Sequence, residues 1–154
     1  MKAKKFVSLS EFGTLVEKLL PHDFERYVFE VLEASHLFGP LQSTQIVNER
    51  EINILTTTFV KSIIPPPQLP RCAIEVRRQQ APLSVSEIER LFEKWQDMKA
   101  EHPEISFILI STSGVSHAAF QRAQEGGMDI WDAKDLFLFT PSETQLRYFN
   151  GTFE

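Results

Sequence analysis

The chain has 154 residues, 42% of them hydrophobic and 24% charged, which is enough for one compact domain with its own core and little more. A single cysteine, Cys72, excludes an intramolecular disulfide and any multi-cysteine zinc or iron–sulfur site, and fits a reducing compartment. With 16 Lys and Arg against 21 Asp and Glu, the molecule as a whole repels polyanions, so any nucleic-acid binding must rest on a local basic patch.

The opening MKAKKFVSLSEF is basic with no apolar segment behind it, and no later apolar run approaches the roughly 18 residues of a membrane span. The expectation is a cytoplasmic protein without membrane contact. Ser8-Leu9-Ser10-Glu11 is a capping box ahead of Phe12, Leu15, Val16, Leu19 and Leu20, one apolar helical face that Pro21 ends. Asp23 then caps a second helix, with Phe24, Tyr27, Val28, Val31 and Leu32 at helical spacing up to Gly39-Pro40. Alternating residues at Thr44–Val47 and Ile52–Leu55 predict a hairpin, with Asn48-Glu49-Arg50-Glu51 as its turn. Pro65-Pro66-Pro67 and Pro70 form a stiff loop, and a short strand follows at Cys72–Arg77.

Ser84 or Ser86 caps a third helix, whose apolar stripe is Ile88, Leu91, Phe92, Trp95 and Met98, with Glu89, Glu93, Lys94 and Asp97 facing water. The uninterrupted apolar run Ile105–Ile110 reads as a strand buried on both faces. Ser116 caps a helix through Ala118, Ala119, Phe120 and Ala123, Gly126-Gly127 stops it, Met128–Trp131 is a last short strand, and Asp132–Leu136 a helical turn. The order ααβββαβαβ describes an α/β mixed sheet flanked by helices, antiparallel at its start and parallel through its crossovers. Residues 1–22 read as a helical extension packed on a core domain of residues 23–139, and residues 140–154 as a C-terminal tail.

On the strand Cys72–Arg77, alternation sends Ile74 and Val76 to one face and Glu75 and Arg77 to the other, so a carboxylate and a guanidinium project together; Asn53 on the neighbouring strand faces them. Carboxylates held by a rigid sheet are natural ligands for Mg²⁺ or Mn²⁺. A lone Glu-x-Arg has little specificity, and by itself reads as a surface ion pair. The histidines His22, His36, His102 and His117 have no partner at metal-ligand spacing. Ser111–Ser116 reads as a helix cap in preference to a phosphate cradle, because it lacks the glycine and lysine spacing of a P-loop. Phenylalanine is abundant, with 13 residues; core packing accounts for Phe137, Phe139 and Phe149 first, and a self-association surface second.

Taken together, Asp23-Phe24-Glu25 on an early helix, a hairpin ending in Glu51-Ile52-Asn53-Ile54, and Ile74-Glu75-Val76-Arg77 resemble the Mrr-like branch of the PD-(D/E)XK restriction-endonuclease superfamily. The strand Phe107–Thr112, the helix with Ala118, Ala119 and Ala123, and the closing Asp129–Asp132 with Leu136 extend the resemblance over roughly residues 23–136. The resemblance implies a restriction-endonuclease-like fold, and a site in which an aspartate and an acidic residue or glutamine hold a divalent metal while a lysine helps activate water. Asn53 falls at the aspartate, Glu75 at the second ligand and Arg77 at the lysine. Asparagine lacks the charge that chiefly holds a divalent cation, and arginine grips phosphate but does not deprotonate to act as a base.

The expectation is a DNA-binding domain with weak or lost nuclease activity, which uses Mg²⁺ or Mn²⁺ only if active. DNA phosphates would meet a patch of Arg71, Arg77, Arg78 and Gln79, with Lys61, Arg50 and Gln80 near it. One alternative is an active Mg²⁺-dependent endonuclease drawing a substitute carboxylate from Glu25, Glu49 or Glu51. Another is a protein-interaction module, a homodimer included, that docks through the N-terminal helix and the aromatic tail.

Overall fold

The computed structural model describes residues 8–39, 41–47, 50–57, 71–79 and 81–150, with the side chains of 43–47, 50–53, 57 and 150 left out. The proline segment, Glu49, Lys61 and Gln80 lie outside the described residues.

Helix α1 (Leu9–Lys18) starts where Ser8 Oγ accepts the Glu11 N–H, as its capping box predicts. Helix α2 (Pro21–Ser35) starts earlier than the sequence suggests: Leu20 is its N-cap and Pro21 its first residue, which leaves Asp23 in the first turn and not at the cap. Proline suits that position because its fixed φ is already helical and its missing N–H has no intrahelical partner there. Strands β1 (Gln42–Val47) and β2 (Arg50–Thr57) form the predicted hairpin. Its turn is shorter than expected, because the register pairs Val47 with Arg50 and draws Arg50 and Glu51 into β2.

β3 (Arg71–Arg77) pairs antiparallel with β2, and β4 (Ser106–Ser111) and β5 (Met128–Trp131) follow in parallel, giving a five-stranded sheet in the order β1-β2-β3-β4-β5. The parallel steps are crossovers through α3 (Val85–Glu101) and α4 (His117–Glu125). Gly127, at φ +79°, turns the chain from α4 into β5 in a conformation open to glycine. After β5 come α5 (Ala133–Phe139), opened by a reciprocal Asp132/Asp135 cap, α6 (Ser142–Gln145) and a π-helical turn, Leu146–Asn150.

Alternation along β3 and β4 sorts the core into two layers. Cys72, Ile74, Ile108 and Ile110 join Phe12 and Val16 of α1 and Phe24, Tyr27, Val28 and Leu32 of α2 on one face. Ala73, Phe107 and Leu109 join Ile88, Leu91 and Trp95 of α3 and Ala119 and Ala123 of α4 on the other. The C-terminal segment is part of the first layer: Tyr148 is buried, with its ring 5.2 Å from that of Tyr27. Among the described residues no helix is long and apolar enough to cross a membrane.

Candidate functional site

Glu75 sits one residue beyond Ile74 on β3, so alternation turns its carboxylate to the α3 side of the sheet. The side chain is only 5% exposed. A carboxylate there needs partners, and it has two. Lys94 of α3 donates from Nζ to Oε2 at 2.8 Å, and Arg77 Nε stands 3.6 Å from Oε1. Lys94 is itself 23% exposed, whereas Arg77 is 48% exposed at the strand's end.

Lys94 is the residue that the sequence pattern misplaced. It does not face water with Glu89, Glu93 and Asp97. Position 94 lies three residues after buried Leu91 and four before buried Met98, so it belongs to the inner edge of the helical stripe. A lysine flanked at helical spacing by Leu91 and Met98, both buried, was the available signal.

The rim of the site is fixed by backbone pairing. Arg77 pairs with Ser111 in the parallel register, and its carbonyl accepts the Thr112 N–H. The Leu83 N–H donates to the Gly114 carbonyl and the Ser116 N–H to the Leu83 carbonyl, which ties the segment after β3 to the loop after β4. Ser116 caps α4 through the Ala119 N–H, and Ser111 Oγ donates to the Gly114 carbonyl, so this loop is a cap as its sequence suggests. At the start of α3, Glu87 accepts the Ser84 N–H at 2.8 Å. That bond first, and the positive charge of Arg77 at longer range, hold the Glu87 carboxyl below the usual glutamate range.

Of the other sequence candidates among the described residues, only Asn53 is placed near Glu75 by its strand position. Asn53 lies in β2 one register step beyond the Ile54↔Ile74 pair, which sets it across from Glu75 along the strands. Arg78 is turned away from the site: its Nη1 donates to the carbonyls of Val16 at 3.0 Å and Leu19 at 2.5 Å, and its guanidinium lies over the Phe24 ring. It closes the C-terminus of α1, where carbonyls have no helical partner. Arg71 stands at the opposite end of β3 from Arg77, about 20 Å along the strand, with Nη1 2.5 Å from Nε2 of His102. Gln79 donates to the nearby Ala81 carbonyl. Glu25 is exposed on α2, a helix that packs on the sheet face away from Glu75. The single patch expected from Arg71, Arg77 and Arg78 is therefore divided over three places.

A family model described as restriction endonuclease, Mrr_cat, matches residues 16–139. The chain belongs to that family. Solved structures of similar fold include the DNA modification-dependent restriction endonuclease AspBHI, with a TM-score of 0.62 and 15% identity over 90% of this chain and 39% of that one. A repair endonuclease from Pyrococcus abyssi gives 0.57 and 10%, over 75% of this chain and 47% of that one. The EndoMS–dsDNA complex gives 0.56 and 13%, over 72% and 43%. This restriction-endonuclease domain thus spans less than half the length of each of those three chains. A search of curated protein sequences gives no match.

Enzymes of the restriction-endonuclease family usually depend on a divalent metal, and the described side chains here do not fit one. Mg²⁺ asks for oxygen donors in near-octahedral array, led by free carboxylates. Glu75 has one oxygen bonded to Lys94 and the other beside Arg77, while the carboxylate of Glu87 is committed to Ser84. Among the described residues no group of three or more His, Cys, Asp or Glu converges on a point. Two unit charges 4 Å apart interact by roughly 4 kcal/mol at an effective dielectric constant of 20, so two cations already at one carboxylate are a substantial barrier to a third.

Proposed function

We propose that this domain binds the phosphate backbone of DNA at the mouth formed by Glu75, Lys94 and Arg77, and that phosphodiester hydrolysis there is weak or absent. The observation that carries this reading is the buried carboxylate held between two cations, with the outer one, Arg77, half exposed at the C-terminal end of a central strand. Ligands of open α/β sheets bind outside the carboxyl ends of the strands, and a guanidinium is suited to phosphate. The restriction-endonuclease family and a neighbour of similar fold solved with double-stranded DNA support DNA as the polymer. The net charge of −5 confines attraction to this mouth and makes binding weak except where it is engaged.

The test is fluorescence anisotropy of a labelled duplex across a salt series, run beside a supercoiled-plasmid cleavage assay in Mg²⁺ and in Mn²⁺. The reading expects affinity that falls steeply with salt, weakening in Arg77→Gln, and an intact plasmid. Metal-dependent cleavage that Glu75→Ala abolishes would overturn it in favour of an active nuclease. Binding absent, or indifferent to salt, would favour a protein-interaction module.

One observation favours the active alternative. Lys94 brings an amine to Glu75 from α3, and an amine exchanges protons where the guanidinium of Arg77 does not. On that reading cleavage is lost in Lys94→Met and kept in Arg77→Gln. The plasmid assay on those two variants separates the readings.

A further inference from the structure

The disagreement between a family that usually works with a metal and a carboxylate already paired has a specific form. The Lys94 ammonium donates to Oε2 of Glu75 at 2.8 Å and occupies one of the lone pairs that a divalent cation would use. Glu75 is the one ionic partner described for Lys94, and Lys94 is mostly enclosed. The helix that carries it is held by Leu91, Trp95 and Met98, each at most 3% exposed. Trp95 stacks on Phe107 of β4 at 4.5 Å with an interplanar angle of 4°, which fixes the height of α3 over the sheet. The ammonium is therefore delivered to Glu75 by rigid elements, unlike a surface lysine that drifts among partners.

We propose that Lys94 stands in for the divalent cation: it neutralises Glu75 permanently, and with Arg77 makes a metal-independent clamp for one phosphodiester. This rests on the phosphate-binding reading above. One carboxylate against two cations leaves this cluster with a positive charge to offer, the complement of a single phosphodiester and the opposite of what attracts Mg²⁺. Glu87, an acid that feels the charge of Arg77, is engaged through Oε2 at the helix cap. The ammonium competes with a metal for Oε2, by charge and by the lone pair it occupies, so removing it should open the carboxylate to a metal.

The experiment has two arms, each on the whole chain. In the first, Mn²⁺ is titrated against the wild type, Lys94→Met and Glu75→Gln, read by thermal shift and by Mn²⁺ electron paramagnetic resonance. The wild type should leave the free Mn²⁺ signal unchanged and its Tm within about 1 °C, whereas Lys94→Met should capture Mn²⁺ and melt higher in its presence. In the second arm, anisotropy with a labelled duplex compares EDTA with Mg²⁺ at matched ionic strength. Wild-type affinity should be equal in the two, and Lys94→Met should lose about tenfold in EDTA and recover part of it with Mn²⁺. Capture of Mn²⁺ by the wild type, lost in Glu75→Gln, overturns the proposal; so does DNA binding that Lys94→Met leaves unchanged. If Lys94→Met does not fold, the wild-type and Glu75→Gln titrations still decide, with Lys94→Arg in the second arm expected to retain EDTA binding. A wild type that ignores both Mn²⁺ and DNA refutes the phosphate reading while leaving the exclusion of metal by Lys94 upheld.

Discussion

The two faces of the sheet treat charge in opposite ways, and neighbouring arginines show it. Arg77 belongs to the α3 face, where it is half exposed beside a buried carboxylate; Arg78 belongs to the α2 face, where it is bonded to the carbonyls that end α1 and covered by Phe24. On the α2 face polar groups are paired within the protein. Tyr27 and Thr140 share a hydrogen bond, Thr140 donates on to the Leu136 carbonyl, and Arg26 donates to Tyr148. The rings of Phe12, Tyr27, Tyr148 and Phe149 close around them at centroid distances of 5.2–6.3 Å. This side is sealed by aromatic contacts worth more than their area alone. The α3 side is equally apolar at its base, where Trp95 meets Phe107, but ends in cations at the mouth. Both faces are packed against the sheet, and on the reading proposed above only the α3 face offers a charge to a partner.

That division is open to mutation. The largest expected effect is on the sealed face: Phe12→Ala removes a fully buried ring that touches Tyr27, Phe137 and Phe149, at a cost of about 3–5 kcal/mol. Urea unfolding should show that loss, while the DNA affinity of the folded fraction stays at the wild-type value. A parallel loss of affinity would show that the faces are not separate.

Glu75→Gln should come next. It leaves the Lys94 ammonium mostly enclosed without its counter-charge, and we expect about 2–3 kcal/mol of destabilisation, below the range for fully buried pairs because Lys94 keeps some water contact. Stability within 0.5 kcal/mol of wild type, roughly the level of an ordinary surface change, would mean that the pair is not part of the fold's support.

The sharpest contrast is between Arg77→Gln and Arg78→Gln. The first should change stability by less than about 0.5 kcal/mol, lower DNA affinity about tenfold, and reduce the slope of log K against log salt by about 1. The second should leave DNA binding alone and cost about 1–2 kcal/mol, since it removes charged donors from two carbonyls at the end of α1. Interchanged outcomes would reverse the assignment of the two arginines.

Much of this was legible in the sequence, for reasons that differ by residue. The order of elements follows from caps and periodicity: Ser8, Ser116 and Asp132 mark their helices, and the run Ile105–Ile110 marks a strand covered on both sides. The common face of Glu75 and Arg77 follows from the period of two. What the sequence hides is the other partner in each contact. Nothing local says that Arg78, one residue past the strand, meets α1 carbonyls some sixty positions earlier, or that Arg71 lies at the far end of β3 beside His102. A cluster of basic letters in sequence is not a patch when a strand carries them to opposite ends and opposite faces. Lys94 was hidden differently, because a charged residue at the edge of an apolar stripe is assigned to water unless a buried acid is known to face it. The boundary at Pro21 slipped because proline both ends helices and begins them.

The smallest effect concerns the edge between the charged mouth and the helix that supports it. Glu87 caps α3 through the Ser84 N–H, and that bond, aided by Arg77, lowers its pKa from the ordinary glutamate value. A carboxyl whose pKa is depressed in the folded state contributes stability that is fully present above its unfolded pKa and is lost as pH falls through its folded pKa. The wild type should therefore exceed Glu87→Gln in Tm at neutral pH by about 2–4 °C, the size of a helix-terminal charge, and the gap should close as the pH is lowered through the carboxylate range. Glutamine still offers a carbonyl oxygen to Ser84, so the difference isolates the charge. Arg77→Gln in the same background should narrow the gap slightly at neutral pH, because Arg77 is a minor cause of the shift. A gap that is constant with pH would mean that Glu87 acts at the cap by hydrogen bonding alone, and that the field of Arg77 reaches solvent and not the start of α3.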